Sequence, residues 1–428
     1  MTTYVLLLVF LLLLVMGMPV AFAMGAAAVA AAYVSDIPVA ALVIKLVDGT
    51  NQVPMLAIPL FILAGAIMAE GGMARRLVDL AKALLSSLKG GLSLVNVCAS
   101  TLFGCISGST VADTASIGSV MIPQMEKNGY PRSFATNITM TGSLQATILP
   151  PSHNFVIYSL AAGGVVSVPA LFLAGILPGL LLGACLAGLC LYYAHKHDFP
   201  RGERSSLRLI GSRFVDAGWG LVTVIIITGG ILSGAFTATE SAGIACVYAL
   251  AVTMFVYKDY RWKDLPKLFS SVVRTCGIIM IMMATASAFG YMMALERVPQ
   301  QIAELFLEYS SNVTVFLVLA NIALLLLGIF MELTPMLLIC VPVFMPIITQ
   351  LGIDPVHFGV IMVLNLAIGL VTPPVGATLF AGIAVGRVTM EEITRTIWPF
   401  YIAMMICLLL VTYIPGLSLW LPQMAGAL

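Results

Sequence analysis

The sequence predicts an all-α polytopic membrane protein that contains an inverted internal repeat, two re-entrant helical hairpins, broken helices and interfacial arm helices. Three observations support this fold class. Hydrophobic residues make up 61% of the 428 positions and charged residues only 9%, whereas soluble domains are about half apolar and about a quarter charged. Long apolar segments recur along the chain, and matching turn residues recur at one constant spacing. The formal net charge of +1 offers no basic surface, so nucleic-acid binding is excluded.

The apolar segments are long enough to cross or enter a bilayer, which takes about 20 residues for one helix. The first segment lacks a preceding basic residue and a small-residue cleavage site, so it differs from a cleavable signal peptide. Its residues Gly17-Met18-Pro19 either kink it or split it, and the sequence leaves both possibilities open. About ten or more membrane passes follow, from segments at 4–34, 54–72, 91–105, 134–162, 168–194, 217–235, 238–257, 268–294, 312–329, 356–385 and 396–419.

Basic residues are concentrated in two loops between apolar segments. The positive-inside rule places both loops on the cytoplasmic side of the membrane. The intervening segments 217–235 and 238–257 then form an out-and-back pair. The basic residues are Lys196, Arg201, Arg204, Arg208 and Arg213 in the first loop, and Lys258, Arg261, Lys263 and Lys267 in the second.

Two amphipathic stretches, 73–89 and 298–309, stand apart from the apolar segments. Each is typical of a helix that lies along the membrane interface. The first carries Arg75, Arg76, Lys82 and Lys89, whereas the second carries Glu304 and Glu308. Their opposite charge favours opposite membrane faces, and therefore an inverted arrangement of the parts that follow them.

Turn residues recur in the two halves of the chain at one offset. Prolines match at 346 − 123 = 223, glycines at 352 − 129 = 223, and double prolines at 373 − 150 = 223. Three matches at one spacing indicate an internal duplication. Inverted repeats with interrupted apolar segments are the sequence pattern of secondary transporters.

Each half contains a predicted hairpin followed by a broken helix. In the first half, the polar patch Ser107-Gly108-Ser109-Thr110 interrupts the hairpin 104–123, and Pro150-Pro151 interrupts the helix 134–162. The second half matches, with Met331 to Pro335 inside the hairpin 328–346 and Pro373-Pro374 inside the helix 356–385. Proline removes a backbone donor and clashes with the preceding turn. The hairpin pieces are too short to span, so each hairpin enters and leaves by one face.

Such breaks provide binding chemistry at membrane depth. Freed carbonyls can coordinate a hard cation such as Na⁺, and the starts of half-helices present positive dipole ends to an anion. Taken singly, a Pro-Pro pair is equally a packing kink, and Ser-Gly-Ser equally a close helix contact. Two equivalent pairs of breaks favour the binding interpretation. Hydroxyls could join the carbonyls from Ser107, Ser109, Thr147, Ser152, Thr334 and Thr372.

Ionisable residues inside the apolar regions are further candidates, because charge at that depth is costly. Asp113 and Glu332 lie in the two hairpins, where either could neutralise a cation or orient the break. Asp113 could instead belong to a helix cap. His153 and Asn154 follow the first double proline and could face substrate, although an interfacial hydrogen bond explains a histidine equally well.

The motifs resemble those of a known family, the large membrane subunit of tripartite ATP-independent periplasmic (TRAP) transporters. The resemblance covers essentially the whole chain and implies an elevator-type, sodium-driven importer of a small organic anion such as a C4-dicarboxylate in the bacterial inner membrane. It also implies a small four-helix membrane subunit and a periplasmic substrate-binding protein. The motifs are 107–115, 148–152, 236–240, 331–335 and 369–376.

The resemblance also implies at least two sodium sites, each formed by a hairpin tip and a double-proline break. The first corresponds to Ser107, Gly108, Ser109, Thr147 and Pro150, and the second to Glu332, Thr334, Gly369, Thr372 and Pro373. We place substrate binding at Thr110, Asp113, Pro151, Ser152, His153, Asn154, Pro374 and Gly376.

Two departures from the family pattern flank this region, namely His153-Asn154 and the preceding Leu144-Gln145-Ala146-Thr147. The substrate could therefore differ from the dicarboxylates and sialic acids of better-known members. The chain ends at Leu428 without a region for the small subunit, so a separate polypeptide is expected. We expect scaffold helices at 1–72 and 217–294, arm helices at 73–90 and 297–310, repeats at 91–195 and 311–428, and a cytoplasmic loop at 196–216.

Two alternative functions remain from the sequence. A stand-alone sodium-coupled carboxylate carrier would need no binding protein. An intramembrane enzyme would need convergent catalytic groups, but the four histidines are scattered and the eight cysteines lie in apolar runs without CxxC spacing. We therefore expect a transporter and not an enzyme.

Overall fold

The protein is all-helical in the computed structural model, which describes residues 2–202, 205–309 and 312–428. Within these ranges the chain forms 21 α-helices, and its one strand-like pairing is an isolated bridge between Lys89 and Arg201. Arg204 and the last residue of the predicted arm 297–310 lie outside the described residues. The helical fold class is confirmed.

The long apolar N-terminal segment is split into two helices, α1 (Thr2–Val15) and α2 (Val20–Val34), which pack against each other. Gly17 adopts a left-handed conformation with φ of 81° and Pro19 precedes α2. Since proline has no backbone donor, the helix cannot continue through this turn. The structure thus decides for the split over the kink.

Helix α3 (Val39–Thr50) was not among the predicted segments. Lys45 and Asp48 interrupt its apolar character, but the structure pairs them at 3.1 Å on an exposed face. A 3-10 turn (Val53–Leu56) leads from α3 to α4 (Ala57–Glu70).

The first arm helix, α5 (Met73–Leu85), follows α4 at an angle of 64°. Its residues contact both of the predicted cytoplasmic loops. Arg76 lies 2.5 Å from Asp259, and Asp79 lies 3.5 Å from Arg213. The arm and the two basic loops therefore share one side of the molecule.

The first repeat contains a helical hairpin, a broken helix and one long helix. The hairpin arms are longer than predicted, because the segment 91–105 is the first arm of the hairpin and not a separate span. The helices are α6 (Gly91–Ser107), α7 (Thr110–Lys127), α8 (Arg132–Ser143) with a 3-10 turn (Leu144–Thr147), α9 (His153–Ala161) and α10 (Val168–Lys196).

The central scaffold consists of α11 (Leu207–Leu232), α12 (Ala238–Ala251), which continues as a π-helix (Val252–Val256), and α13 (Leu265–Leu295). Helix α11 begins at Leu207, so the second half of the predicted loop 196–216 is helical. Helix α13 packs against α2, α3 and α4, which joins the N-terminal and central helices into one scaffold.

The second repeat has the same order of elements as the first. It comprises α14 (Val298–Tyr309), α15 (Val313–Phe330), α16 (Leu333–Gln350), α17 (Pro355–Gly369), α18 (Ala377–Gly386), α19 (Met390–Thr396), α20 (Trp398–Tyr413) and α21 (Gly416–Met424). Here α15 and α16 form the hairpin, and α17 and α18 form the broken helix.

The repeat offset extends from single residues to helix boundaries. The second hairpin arms begin at 333 − 110 = 223 and end at 350 − 127 = 223, and the broken helices begin at 355 − 132 = 223. Both double prolines contain a cis peptide bond. Local sequence chemistry therefore forms the same structure twice.

The two arm helices lie at opposite ends of α13, which is about 46 Å long for its 31 residues. Its first end follows the loop that contacts α5, and its other end leads into α14. This placement agrees with the inverted arrangement predicted from the arm charges.

Six described helices are long and apolar enough to cross a membrane, or eight if each bent pair is one span. The α15 and α16 arms are among them, with 18 residues each. The hairpin pieces are thus not too short to span, as the sequence had suggested, because each break lies between full-length arms. The other predicted segments are divided into shorter helices.

Buried polar contacts join the two repeats into one packed unit. The hydroxyls of Thr110 in α7 and Thr378 in α18 lie 2.7 Å apart. Arg132 Nε donates to the Gly386 carbonyl at 2.5 Å, and Asn137 donates to Thr396 at 2.7 Å. The hairpins and broken helices of both repeats therefore form a single body, which packs beside the scaffold.

The contact between the repeats has a testable energetic value. Thr110→Val should lower the stability of the purified protein by about 1–2 kcal/mol, because it leaves the buried Thr378 hydroxyl without a partner. Thermal unfolding measures the loss, and Thr110→Ser should retain the wild-type value. The double variant Thr110→Val/Thr378→Val should recover part of the loss. Strictly additive losses would contradict a direct bond between the two hydroxyls.

Candidate functional site

The tip of the first hairpin is a two-residue turn. Helix α6 ends at Ser107, Gly108 adopts a left-handed conformation with φ of 60°, and Ser109 caps α7. Glycine has no Cβ to clash in this conformation. The Ser109 hydroxyl accepts from the Ala112 amide at 3.4 Å, which is the role of an N-cap serine.

The first double-proline break lies beside this tip. The Ser152 hydroxyl donates to the Thr147 carbonyl at 2.6 Å, and the Thr147 hydroxyl donates to the Leu144 carbonyl. In this described segment, no backbone hydrogen bond ends on the carbonyl of Pro150 or Pro151. The Pro151 carbonyl oxygen would lie only 3.7 Å from a Cβ built on Gly108, so it faces the hairpin tip.

The second hairpin tip consists of Met331 and Glu332 in extended conformation. Glu332 precedes α16 but makes no side-chain capping bond. The Gly376 amide donates to the Ile329 carbonyl at 3.2 Å. This bond ties the second tip to the second break.

The second break is stabilised by groups from three helices. The Thr372 hydroxyl donates to the Ile368 carbonyl at 2.8 Å, and the Tyr401 hydroxyl donates to the Val371 carbonyl at 2.7 Å. A Cβ at Gly376 would lie 2.5 Å from the Leu370 carbonyl oxygen, and Gly376 has φ of 50°. Only glycine fits there without strain.

The starts of four helices, α7, α9, α16 and α18, meet at one small cavity of about 110 Å³. Each helix start carries roughly half a positive charge from its unpaired backbone amides. Their convergence therefore favours an anion. The lining residues are Gly108, Ser109, Thr110, Val111, Thr147, His153, Asn154, Glu332, Leu333, Thr334, Leu370 and Ala377.

A larger cavity of about 460 Å³ separates the two hairpin tips from the scaffold. It shares five residues with the small cavity: Ser109, Val111, His153, Glu332 and Thr334. Helices α4 and α13 provide the opposite wall, including Gly65, Ser271, Thr275 and Met282. None of its lining residues is lysine or arginine. Helix dipoles, hydroxyls and His153 are the groups available to an anion.

The structure places the candidate residues in two groups. Ser107, Gly108, Ser109, Thr110, Thr147, His153, Asn154, Glu332 and Thr334 line the cavities. The remaining candidates form the surrounding breaks and do not line these cavities: Pro150, Pro151, Ser152, Gly369, Thr372, Pro373, Pro374 and Gly376, together with Asp113 in α7.

Asp113 is fully buried, and neither carboxylate oxygen has a hydrogen-bond partner in the described chain. The helix cap is provided by Ser109, so the capping explanation for Asp113 does not hold. Sequence reasoning also missed the scaffold wall. Ser271 and Thr275 are four residues apart on one face of α13, which is the one local signal that pointed to them.

Comparisons with known proteins agree with this geometry. The sequence model of the family described as "Tripartite ATP-independent periplasmic transporter, DctM component" matches residues 7–417. "Uncharacterized protein YgiK" of Salmonella typhimurium is 41% identical over 418 residues, covering 97% of this chain and 96% of that protein. A solved structure of the Alcanivorax borkumensis YdaH transporter superimposes with a TM-score of 0.64 at 15% identity, covering 88% and 87% of the two chains, which shows the fold alone.

Two further relatives have named functions. A "C4-dicarboxylate TRAP transporter large permease protein DctM" of Rhodobacter capsulatus is 36% identical over 427 residues, covering 97% of each chain. The protein of the same name in Pseudomonas aeruginosa is 41% identical over 388 residues, covering 91% of this chain and 90% of the relative. The chain therefore belongs to the DctM component family of TRAP transporters, whose members are multi-pass inner-membrane transport permeases and not enzymes.

Proposed function

We propose that this permease imports a small organic acid, delivered by a periplasmic binding protein, and that a sodium gradient drives the import. One observation carries the proposal: four helix starts and two double-proline breaks converge beside one cavity. Converging positive dipole ends suit a carboxylate, and carbonyls at breaks suit a sodium ion.

The proposed substrate is a small carboxylate of the C4-dicarboxylate type. The Rhodobacter capsulatus and Pseudomonas aeruginosa relatives are named for this substrate class. The larger cavity, at about 460 Å³, is in the usual range for small-molecule sites. His153 lines both cavities and has no counterpart among the usual family residues, so we assign it and Asn154 to substrate selection.

The proposed sodium sites are the two pairs of tip and break. The first consists of Ser107, Gly108, Ser109, Thr147 and Pro150, and the second of Glu332, Thr334, Gly369, Thr372 and Pro373. Their support is the proximity of each tip to its break, through the Pro151 carbonyl at Gly108 and the Gly376 amide bound to Ile329. Hard cations prefer such carbonyl, hydroxyl and carboxylate oxygens.

The proposed motion is an elevator movement of the hairpin-containing body against the scaffold. The larger cavity lies between these two bodies. A Cβ at Gly65 of α4 would lie 3.1 Å from the carbonyl oxygens of Ile106 and Ser107. A small residue in the scaffold thus permits the hairpin tip to pass closely, as a sliding contact requires.

The proposed partners are a small four-helix membrane subunit and the periplasmic binding protein. The family name describes one component of a tripartite system. Helix α11 exposes Phe214, Trp219 and Ile225, a face available to lipid or to the small subunit.

Uptake measurements test the coupling ion. Proteoliposomes that contain both membrane subunits should accumulate a labelled C4-dicarboxylate when the binding protein and an inward sodium gradient are supplied. Replacement of sodium by choline should abolish accumulation. Equal uptake in choline would contradict sodium coupling, and uptake by this chain alone would identify a stand-alone carrier.

The first proposed sodium site can be tested with matched serine variants. Ser109→Ala should raise the sodium concentration for half-maximal uptake by about tenfold, as expected for loss of a bond to a charged group worth about 1.5 kcal/mol. The control is Ser167→Ala, which removes an equivalent N-cap at α10 away from the cavities. A similar change in both variants would attribute the effect to capping and not to an ion ligand.

A further inference from the structure

A second charged cavity lies away from the transport site, on the side of the molecule that carries the basic loops. We call it the arm pocket. It has a volume of about 370 Å³ and lies between the arm helix α5, the hairpin helix α7, the start of α11 and residues 200–202 with Ser205. We propose that the arm pocket binds the phosphate of an anionic phospholipid headgroup.

The charges of the arm pocket are unbalanced. Three cations line it, Lys82, Arg201 and Arg213, against the single carboxylate of Asp79. Asp79 lies 4.0 Å from Lys82 Nζ and 3.5 Å from Arg213, so one anion is shared between two cations. Arg213 has a second, more distant carboxylate in Asp216 at 3.8 Å. An added phosphate would neutralise the excess.

Lys82 is held in an environment that favours an anion. Burial is the main cause that lowers the pKa of its ammonium group, and the cations Arg75 and Arg213 lower this pKa further, whereas Asp79 raises it. Asp79 alone therefore does not compensate the cost of burying this charge. A phosphate beside Lys82 would do so.

Apolar residues around the arm pocket favour a lipid over a soluble phosphate. Leu92 and Leu209 line the pocket together with the cations. Leu209 is 43% exposed, Leu84 of the arm helix is 48% exposed and Leu207 is 86% exposed. An interfacial amphipathic helix with exposed leucines sits at the level of lipid headgroups, and basic pockets on the cytoplasmic side bind anionic headgroups.

A neighbouring cavity shows why the arm pocket is distinct. It is lined by Arg75, Arg76 and Arg213 but also by four carboxylates, Glu70, Asp79, Asp216 and Asp259. Arg76 there is paired with Asp259 at 2.5 Å and stacks on the Tyr257 ring. Its cations are already neutralised, so Arg75 is a suitable control residue on the same helix.

Native mass spectrometry of the full chain in detergent micelles tests the proposal with phosphatidylglycerol as the probe and phosphatidylcholine as the neutral lipid. We expect retention of phosphatidylglycerol, and about a fivefold loss of its affinity in each of Lys82→Gln and Arg201→Gln. Lys82→Arg and the control Arg75→Gln should bind as the wild type does. Thermal unfolding in phosphatidylcholine verifies that each variant is folded.

Three results would overturn the proposal. The first is equal phosphatidylglycerol affinity in wild type, Lys82→Gln and Arg201→Gln. The second is an equal loss in Arg75→Gln, which would show a general charge effect. The third is displacement of phosphatidylglycerol by inorganic phosphate at similar concentration, which would identify a soluble ligand.

Discussion

The structure depends on one constraint, which is that backbone polar groups at membrane depth must find partners inside the protein. Two double prolines break two helices and leave such groups in the middle of the molecule. Their partners come from other elements: the Val371 carbonyl accepts from Tyr401, and the Ile329 carbonyl accepts from Gly376. The breaks are therefore stable only when both repeats are packed together.

This constraint also separates charge within the site. Helix starts, with their unpaired amides, face the small cavity, while carbonyls that no backbone amide reaches remain at the first break. An anion and a cation can thus be accommodated a short distance apart without a buried arginine or lysine. Glu332 adds the one acidic group that lines both cavities, beside the start of α16.

Features determined by local chemistry were readable from the sequence. The spacing of 223 residues, the hairpin turns and the double-proline breaks all follow from prolines, glycines and N-cap residues at fixed positions. Features determined by pairing or by tertiary contact were not. Helix α3 was missed because Lys45 and Asp48 neutralise each other only once folded.

The early start of α11 and the full length of the hairpin arms were also missed. Arg208 and Arg213 look like loop residues, but they lie in a helix whose end extends beyond the apolar region. Similarly, the wall formed by Ser271 and Thr275 depends on how α13 packs against the hairpin body. No local pattern fixes that contact, so half of the larger cavity was invisible from the sequence.

A cryo-EM structure of the transporter, solved in sodium with a bound C4-dicarboxylate, tests the central claim most directly. We predict density for the carboxylate at the four converging helix starts. We also predict cation density between each hairpin tip and its double-proline break, and its loss in a matched structure solved in choline. Substrate density away from the helix starts, or unchanged density at the breaks in choline, would contradict this account of the site.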